Sequence, residues 1–233
     1  ADPCAECEKK QGEMKNIALL FFFLVLGIPD SADLFSQSGS STLTVNQSGN
    51  GFPLSVPGKR VPIYADQEDF PGVLRACRDL QTDIGRVTNI IPDLSTTLLP
   101  KADEVVIAGT LGKSRTINQL VESGMVDTTG FAGQWEMYRI QVIDKPFPGI
   151  GKGLVIMGSD KRGTVFGIYE LSAAIGVSPW YWWADVPVEH KDALYIDCER
   201  FTQGPPAVKY RGIFLNDEYP ALTKWVAAKF GMV

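Results

Sequence analysis

"GLVIMGSDKRGTVFGIYELSAAIG", residues 153–176, decides the fold. Its first six residues are apolar or glycine, the composition of a strand buried on both faces. After the Gly-Ser-Asp turn the period changes. Val165, Ile168, Leu171 and Ile175 recur at three- and four-residue spacing, an amphipathic helix that Gly176 stops. Strand, tight turn and helix make the repeating unit of an α/β fold. The turn also invites a phosphate-site reading, with Gly158 ending the strand and Gly163 opening the helix. A P-loop needs Lys-Ser/Thr directly after the second glycine; Thr164 and Val165 stand there, and no GxGxxG spans the turn. A helix cap fits these residue types better, with Ser159 or Asp160 as acceptor and the glycines allowing close helix–sheet contact.

Outward from this unit the same alternation continues. "VPIYAD" (61–66) reads as a short strand and "FPGVLRACRDLQTDIG" (70–85) as a helix ended by Gly85. "EVVIAGTLG" (104–112) reads as a buried strand, and "SRTINQLVESG" (114–124) as a helix capped by Ser114. "WEMYRIQVI" (135–143) alternates apolar and polar, which predicts a strand with one exposed face, and "LYIDCE" (194–199) a returning strand. The order β-α-β-α-β-β-α predicts an α/β fold, a mixed sheet with helices packed on it. Residues 33–58, rich in Ser, Gly, Asn and Thr, form a lead-in segment with one short strand at "LTV". "NQS" at 46–48 is a glycosylation sequon in a eukaryotic secretory pathway.

Composition excludes several classes of function. The net charge is −5 without a basic run, so nucleic acid is not an expected partner. The single histidine, His190, leaves no His-ligated metal centre or Ser-His-Asp triad within these residues. Cys4 and Cys7 form one CxxC with no second pair at zinc spacing, so no metal or other cofactor is expected. Cys77 and Cys198 read as buried thiols whose pairing the sequence leaves open.

"MKNIALLFFFLVLGIPDSAD", from Met14, reads as a secretory signal over 14–32. Lys15 is its basic start and Ile17–Ile28 its apolar run of 12 residues. A bilayer span needs about 20, so no stable membrane span is expected. Residues 1–13 are then upstream residues, and the product is secreted or, in a Gram-negative bacterium, periplasmic.

Two further stretches carry candidate chemistry. "GVSPWYWWADVP" (176–187) places Trp180, Tyr181, Trp182 and Trp183 in succession, three of the five tryptophans of the chain. After Ser178-Pro179 an extended backbone is expected, with Trp180 and Trp182 on one face and Tyr181 and Trp183 on the other. The cluster is either a two-sided packing plug at a domain seam or a platform for a sugar ring. "FLNDE" (214–218) puts Asn216, Asp217 and Glu218 at the end of an apolar strand, Lys209–Leu215, ahead of a helix over 220–230. If that strand opens a (β/α) barrel, the triplet lies on the face where barrel active sites are built. Asp217 then has three open roles: general base, acceptor from a substrate hydroxyl, or helix cap.

Three stretches, "DLQTDIGRVTN" (79–89), "GSDKRGTVFGIYELSAAIGVSPWYWWADVPV" (158–188) and "KYRGIFLNDEYPALTKWVAAKFG" (209–231), resemble the N-terminal part of glycoside hydrolase family 115, the secreted xylan α-glucuronidases. The resemblance implies an N-terminal α/β domain over 59–207 and, over 208–233, the first βα unit of a catalytic (β/α)8 barrel. The rest of the barrel and the accessory domains would follow. The implied activity is removal of α-1,2-linked glucuronic acid, or its 4-O-methyl ether, from glucuronoxylan with inversion. It also implies that Asp217 and, more weakly, Glu218 are active-site carboxylates with Asn216 a substrate contact, and that the aromatic stretch lies at the family's domain junction near the barrel's active face, where packing comes first and a sugar contact by Trp180 and Trp182 second. Tyr219 departs from the smaller residue expected there. These 233 residues alone would lack activity, because the other catalytic carboxylates belong to later strands. A carbohydrate-binding module using the Trp180–Trp183 cluster is the competing reading.

Overall fold

A computed structural model describes residues 43–49, 51–214 and 221–231, all within the second of the two units into which the chain divides, Ser40–Val233. The expected signal segment 14–32, Cys4, Cys7 and the triplet Asn216–Glu218 lie outside the described residues.

In chain order the strands are β1 (Thr44–Asn46), β2 (Phe52–Val56), β3 (Lys59–Arg60), β4 (Ile63–Ala65), β5 (Leu94–Ser95), β6 (Glu104–Thr110), β7 (Tyr138–Asp144), β8 (Lys152–Gly158), β9 (Leu194–Asp197) and β10 (Arg200–Gln203). The helices are α1 (Pro71–Thr88), α2 (Arg115–Glu122), α3 (Lys161–Ile175), the single turn α4 (Tyr181–Ala184) and α5 (Ala221–Phe230). Six strands make the main sheet in the order β10-β7-β8-β6-β4-β5. β5, β4, β6 and β8 run parallel, β7 runs antiparallel to them, and β10 pairs antiparallel to β7 and so shares their direction. This is the expected mixed α/β sheet. A second, antiparallel sheet, β1-β9-β2-β3, joins the lead-in residues to the returning strand. The β2–β3 hairpin goes beyond the one short strand expected in this polar segment.

The sheet is covered on both faces. On one side α1 and α3 bury Leu80, Ile84, Ile168 and Leu171 against Ile63, Val106, Leu154 and Ile156, and Phe52, Leu54, Leu194 and Ile196 extend that core. On the other, Ile117 and Leu120 of α2 meet Val105, Ile107, Val155 and Phe131. Each fully buried side chain of this kind contributes about 1.5–3 kcal/mol relative to exposure. Among the described residues no helix is long and apolar enough to cross a membrane. Cys77 and Cys198 are both buried and form no disulfide with each other, which answers the pairing question. Burial first, then the nearby Asp69 carboxylate, pushes the Cys77 thiol up to about 12.

Three expectations change. Gly85 does not end α1. The helix runs on to Thr88, and Asn89 caps it at φ 60° in the left-handed region. Gly85 instead makes room for Ile91, whose Cγ1 would lie 2.8 Å from an added Cβ. β7 has no exposed face along most of its length: Arg139 and Gln141 are buried. The polar strand β10 pairs along β7, and the Arg139 guanidinium lies 5.1 Å from the Phe131 ring centre while donating to Thr202 Oγ1 at 3.0 Å and to the Asp127 carbonyl. Residues 209–214 form no strand; they are exposed, and no described strand lies beside them to accept their hydrogen bonds. The helix expected after them is present as α5.

Candidate functional site

In a parallel α/β sheet, ligands enter at the carboxyl ends of the strands, where successive connections go to opposite faces. Here that crevice lies between β4, followed by α1, and β6, followed by α2. The chain fills it with its own carboxylates. Asp66 accepts from Tyr64 Oη at 2.7 Å, from Thr116 N at 2.9 Å, from Thr116 Oγ1 at 3.3 Å and from Ser114 Oγ. Burial alone would raise its pKa, but these four donors outweigh it and hold the carboxyl below its ordinary range. Asp69 accepts from Thr110 N and Phe70 N, both at 2.7 Å.

The neighbouring β8–α3 turn is occupied in the same way. Asp160 Oδ1 caps α3 by accepting from Gly163 N at 2.7 Å, and its Oδ2 accepts from Glu136 N at 3.0 Å. A Cβ on Gly158 would lie 2.0 Å from Thr164 N, and one on Gly163 2.1 Å from the Met137 carbonyl. The glycines therefore serve close backbone contact, and the amides of Thr116 and Ile117 in α2 and of Gly163 in α3 already have protein acceptors. A cavity of about 520 Å³ lies over these turns, edged by Thr110, Lys113, Asp160 and Lys161. The β8–α3 connection is itself a capped turn, the bland alternative to a nucleotide site.

The aromatic stretch is helical, which corrects the extended reading. Tyr181 N donates to the Ser178 carbonyl at 2.9 Å, and Trp180 sits at φ −88°, ψ 2°. These are the features of a type I turn with Pro179 at its second position, a place proline favours. Ala184 N then donates to the Trp180 carbonyl at 2.8 Å, and Asp185 closes the turn in the left-handed region. The rings diverge as a result. Tyr181 packs on the α1–α3 core with the Arg86 guanidinium 4.6 Å from its ring centre. Trp183 stacks on Trp225 of α5, centroids 4.8 Å apart and planes at 9°. Trp180 is 59 % exposed and Trp183 44 %, so two-sided burial is not present among the described rings. The side chain of Trp182 lies outside the described residues.

Beside this turn a cavity of about 570 Å³ opens between α3 and the segment that leaves β10; its edge includes Asp83, Tyr138, Tyr169, Glu170, Pro179 and Arg211. Tyr138 donates to Glu170 at 2.8 Å and Tyr169 to Asp79 at 2.6 Å. Burial first, then the adjoining carboxylate, moves both phenols well up from their ordinary range. Asp83 is also raised, by burial, with Ser172 and Arg86 acting against it. Residues 203–233, which leave this cavity and carry Asn216, Asp217 and Glu218, match the family model described as glycosyl hydrolase family 115. A solved structure, BtGH115A, described as a family GH115 4-O-methyl-α-glucuronidase with specificity for decorated arabinogalactans, is 33% identical with a TM-score of 0.62.

The chain belongs to glycoside hydrolase family 115.

That similarity covers 77% of this chain and 22% of BtGH115A, so the chain spans about a fifth of that enzyme's length. No curated protein matches it. Of the residues expected at a family-115 site, Asn216, Asp217 and Glu218 fall between the described segments. Trp180 is open to solvent near the 570 Å³ cavity that Pro179 edges. Two residues escaped the sequence reading: Glu136, buried at φ 54°, and Arg211, whose guanidinium pairs with it. A Trp-Glu-Met run at a strand start gives no hint of a left-handed residue. Arg211 falls within the 209–231 stretch that resembles the family, where nothing in the sequence singles it out or names its partner.

Proposed function

We propose that this chain is the N-terminal part of a secreted family-115 α-glucuronidase. The whole polypeptide would be an inverting glycoside hydrolase that removes α-1,2-linked glucuronic acid, or its 4-O-methyl ether, from a decorated polysaccharide such as xylan. The observation that carries this is the family match over residues 203–233, which spans the Asn216-Asp217-Glu218 triplet. Residues 208–233 would open the catalytic barrel, putting the triplet at the carboxyl end of its first strand, where barrel active sites lie. Inversion requires an acid and a base about 6.5–9.5 Å apart, with a water between. Asp217 is the candidate base or hydroxyl acceptor, and the acid would come from a later strand. Trp180, the exposed ring, is the candidate sugar contact.

The test is uronic acid release by the full-length polypeptide from glucuronoxylan and from a glucuronate-decorated arabinogalactan, since BtGH115A is described as specific for the latter. Release from either, with the β-anomer appearing first by NMR, is expected. Silence on both sinks the reading. The 233-residue chain alone is expected to release none. Exposure of Trp180 supports the second reading, a carbohydrate-binding module; calorimetric binding of xylo-oligosaccharides by this chain, lost in Trp180→Ala, would favour it. Secretion is supported by the basic-then-apolar segment 14–32, and a mature N-terminus upstream of Met14 contradicts it.

A further inference from the structure

We infer that Glu136 is a positioning residue, a buried carboxylate that acts through Arg211 to set where the chain leaves the α/β domain on its way to Asn216, Asp217 and Glu218. What the triplet does rests on the glucuronidase reading above.

The turn bearing Glu136 is held from several sides. Its left-handed backbone costs a non-glycine residue on the order of 1–3 kcal/mol and persists only where its surroundings impose it. Here they do. Asp160 accepts from Glu136 N, Ser159 Oγ accepts from Met137 N at 3.0 Å, and Ser159 N donates to the Met137 carbonyl at 2.9 Å. The conformation aims the carboxylate, its side chain 6% exposed, between two guanidinium groups: Arg162 at 3.0 Å and Arg211.

Arg211 is the feature that ties down the segment after β10. Its neighbours are open to solvent, Tyr210 at 86 %, Ile213 at 71 % and Phe214 at 91 %. Its own side chain is 35 % exposed and lies against the Trp135 and Phe166 rings, with Nη1 donating to the Val208 carbonyl at 2.6 Å. The segment also crosses the same turn at Gly204, where an added Cβ would meet the Glu136 carbonyl at 3.0 Å. Both crossings are keyed to residues 136–137. Six residues of chain reach at most about 20 Å, so an anchored Arg211 bounds where Asp217 can be.

The experiment compares the full-length wild type with Glu136→Gln, Arg211→Met, the double variant, and Lys59→Met, which breaks the Lys59–Glu104 ion pair at another edge of the fold. It reads kcat per folded enzyme and the thermal midpoint, and, in the 233-residue chain, the rate of tryptic cleavage after Lys209. Glu136→Gln and Arg211→Met are each expected to lower kcat by about 10- to 100-fold, the range a small misplacement of catalytic groups produces. The double should be no worse than the poorer single, cleavage after Lys209 should quicken in both singles, and Lys59→Met should change neither. Wild-type kcat in folded Glu136→Gln, multiplicative losses in the double, or an equal loss in Lys59→Met overturns the inference. If the wild type releases no uronic acid, the glucuronidase reading fails by itself. The proteolysis arm still decides the anchor: faster cleavage supports it and equal rates overturn it.

Discussion

Replacing Asp66 by Asn tests whether the strand-end crevice is closed by charge. Asp66 Oδ2 faces Ser114 Oγ and the Thr116 amide; Oδ1 faces the Tyr64 and Thr116 hydroxyls. Asn can keep its oxygen on the first side. Its NH2 then faces two hydroxyls, which can turn and accept, so no donor is stranded. What is lost is charge: hydrogen bonds to an ionised group are worth about 1.5–3 kcal/mol and neutral ones about 0.5–1.5. With two of the four contacts weakened outright, the cost is about 2 kcal/mol, a sizeable share of the 5–15 kcal/mol typical of a domain. Asp66→Ala strands the Thr116 amide as well and should cost about 3–5 kcal/mol. The pH sign follows from the depressed carboxyl. Its contribution is complete above the unfolded value near 3.9 and is lost as pH falls through the lower folded value. Urea unfolding at pH 7 and at intervals down to pH 2.5 should show a wild-type–Asp66→Asn gap that is full at pH 7 and closes below about pH 4. A gap under about 0.5 kcal/mol at pH 7, or one that does not change with pH, refutes the reasoning.

Gly158→Ala should destabilise the chain by about 1–3 kcal/mol or more. Its Cβ meets Thr164 backbone and the buried Thr110–Thr164 hydroxyl pair, which stands at 2.8 Å; an unchanged urea midpoint counts against that crowding. Cys77, buried and pushed up to about 12, should resist a thiol reagent at pH 8 in the native chain and react once unfolded, as read by peptide mass spectrometry. Rapid native labelling contradicts its placement. In the full-length enzyme, Asp217→Asn should lower kcat by about 10²–10⁴-fold if the carboxylate serves as base. A helix cap instead predicts near-normal turnover for Asn and about 0.5–2 kcal/mol lost for Ala.

The sheet and its helices were legible because burial writes a period into the sequence. Val165 to Ile175 gave α3, and the unbroken apolar run 154–157 gave a strand covered on both faces. The exceptions share a cause: a distant partner overrode a local signal. Arg139 and Gln141 looked solvent-facing because nothing nearby in sequence announces β10, a polar strand some 60 residues on. Gly85 looked like a stop because its role is to admit Ile91. In sequence Pro179 reads as extending the chain, yet it starts the turn that scatters the aromatic rings. The stretch that resembles the family, 209–231, lies within the segment the family model matches, 203–233. Its anchor, Glu136, depends on a left-handed backbone that only the β8–α3 turn imposes.

β9 lies between β1 and β2, and this has a consequence for the order in which the protein can be completed. Ribosomes add about 5–20 residues per second, so roughly 140 residues and on the order of ten seconds separate the emergence of β2 from that of the strand it must pair with. Through that interval the Phe52 and Leu54 edge has no middle strand, and the lead-in residues wait on the newest part of the chain. A product cut short before Leu194 would leave that edge bare and open to association with a second nascent copy.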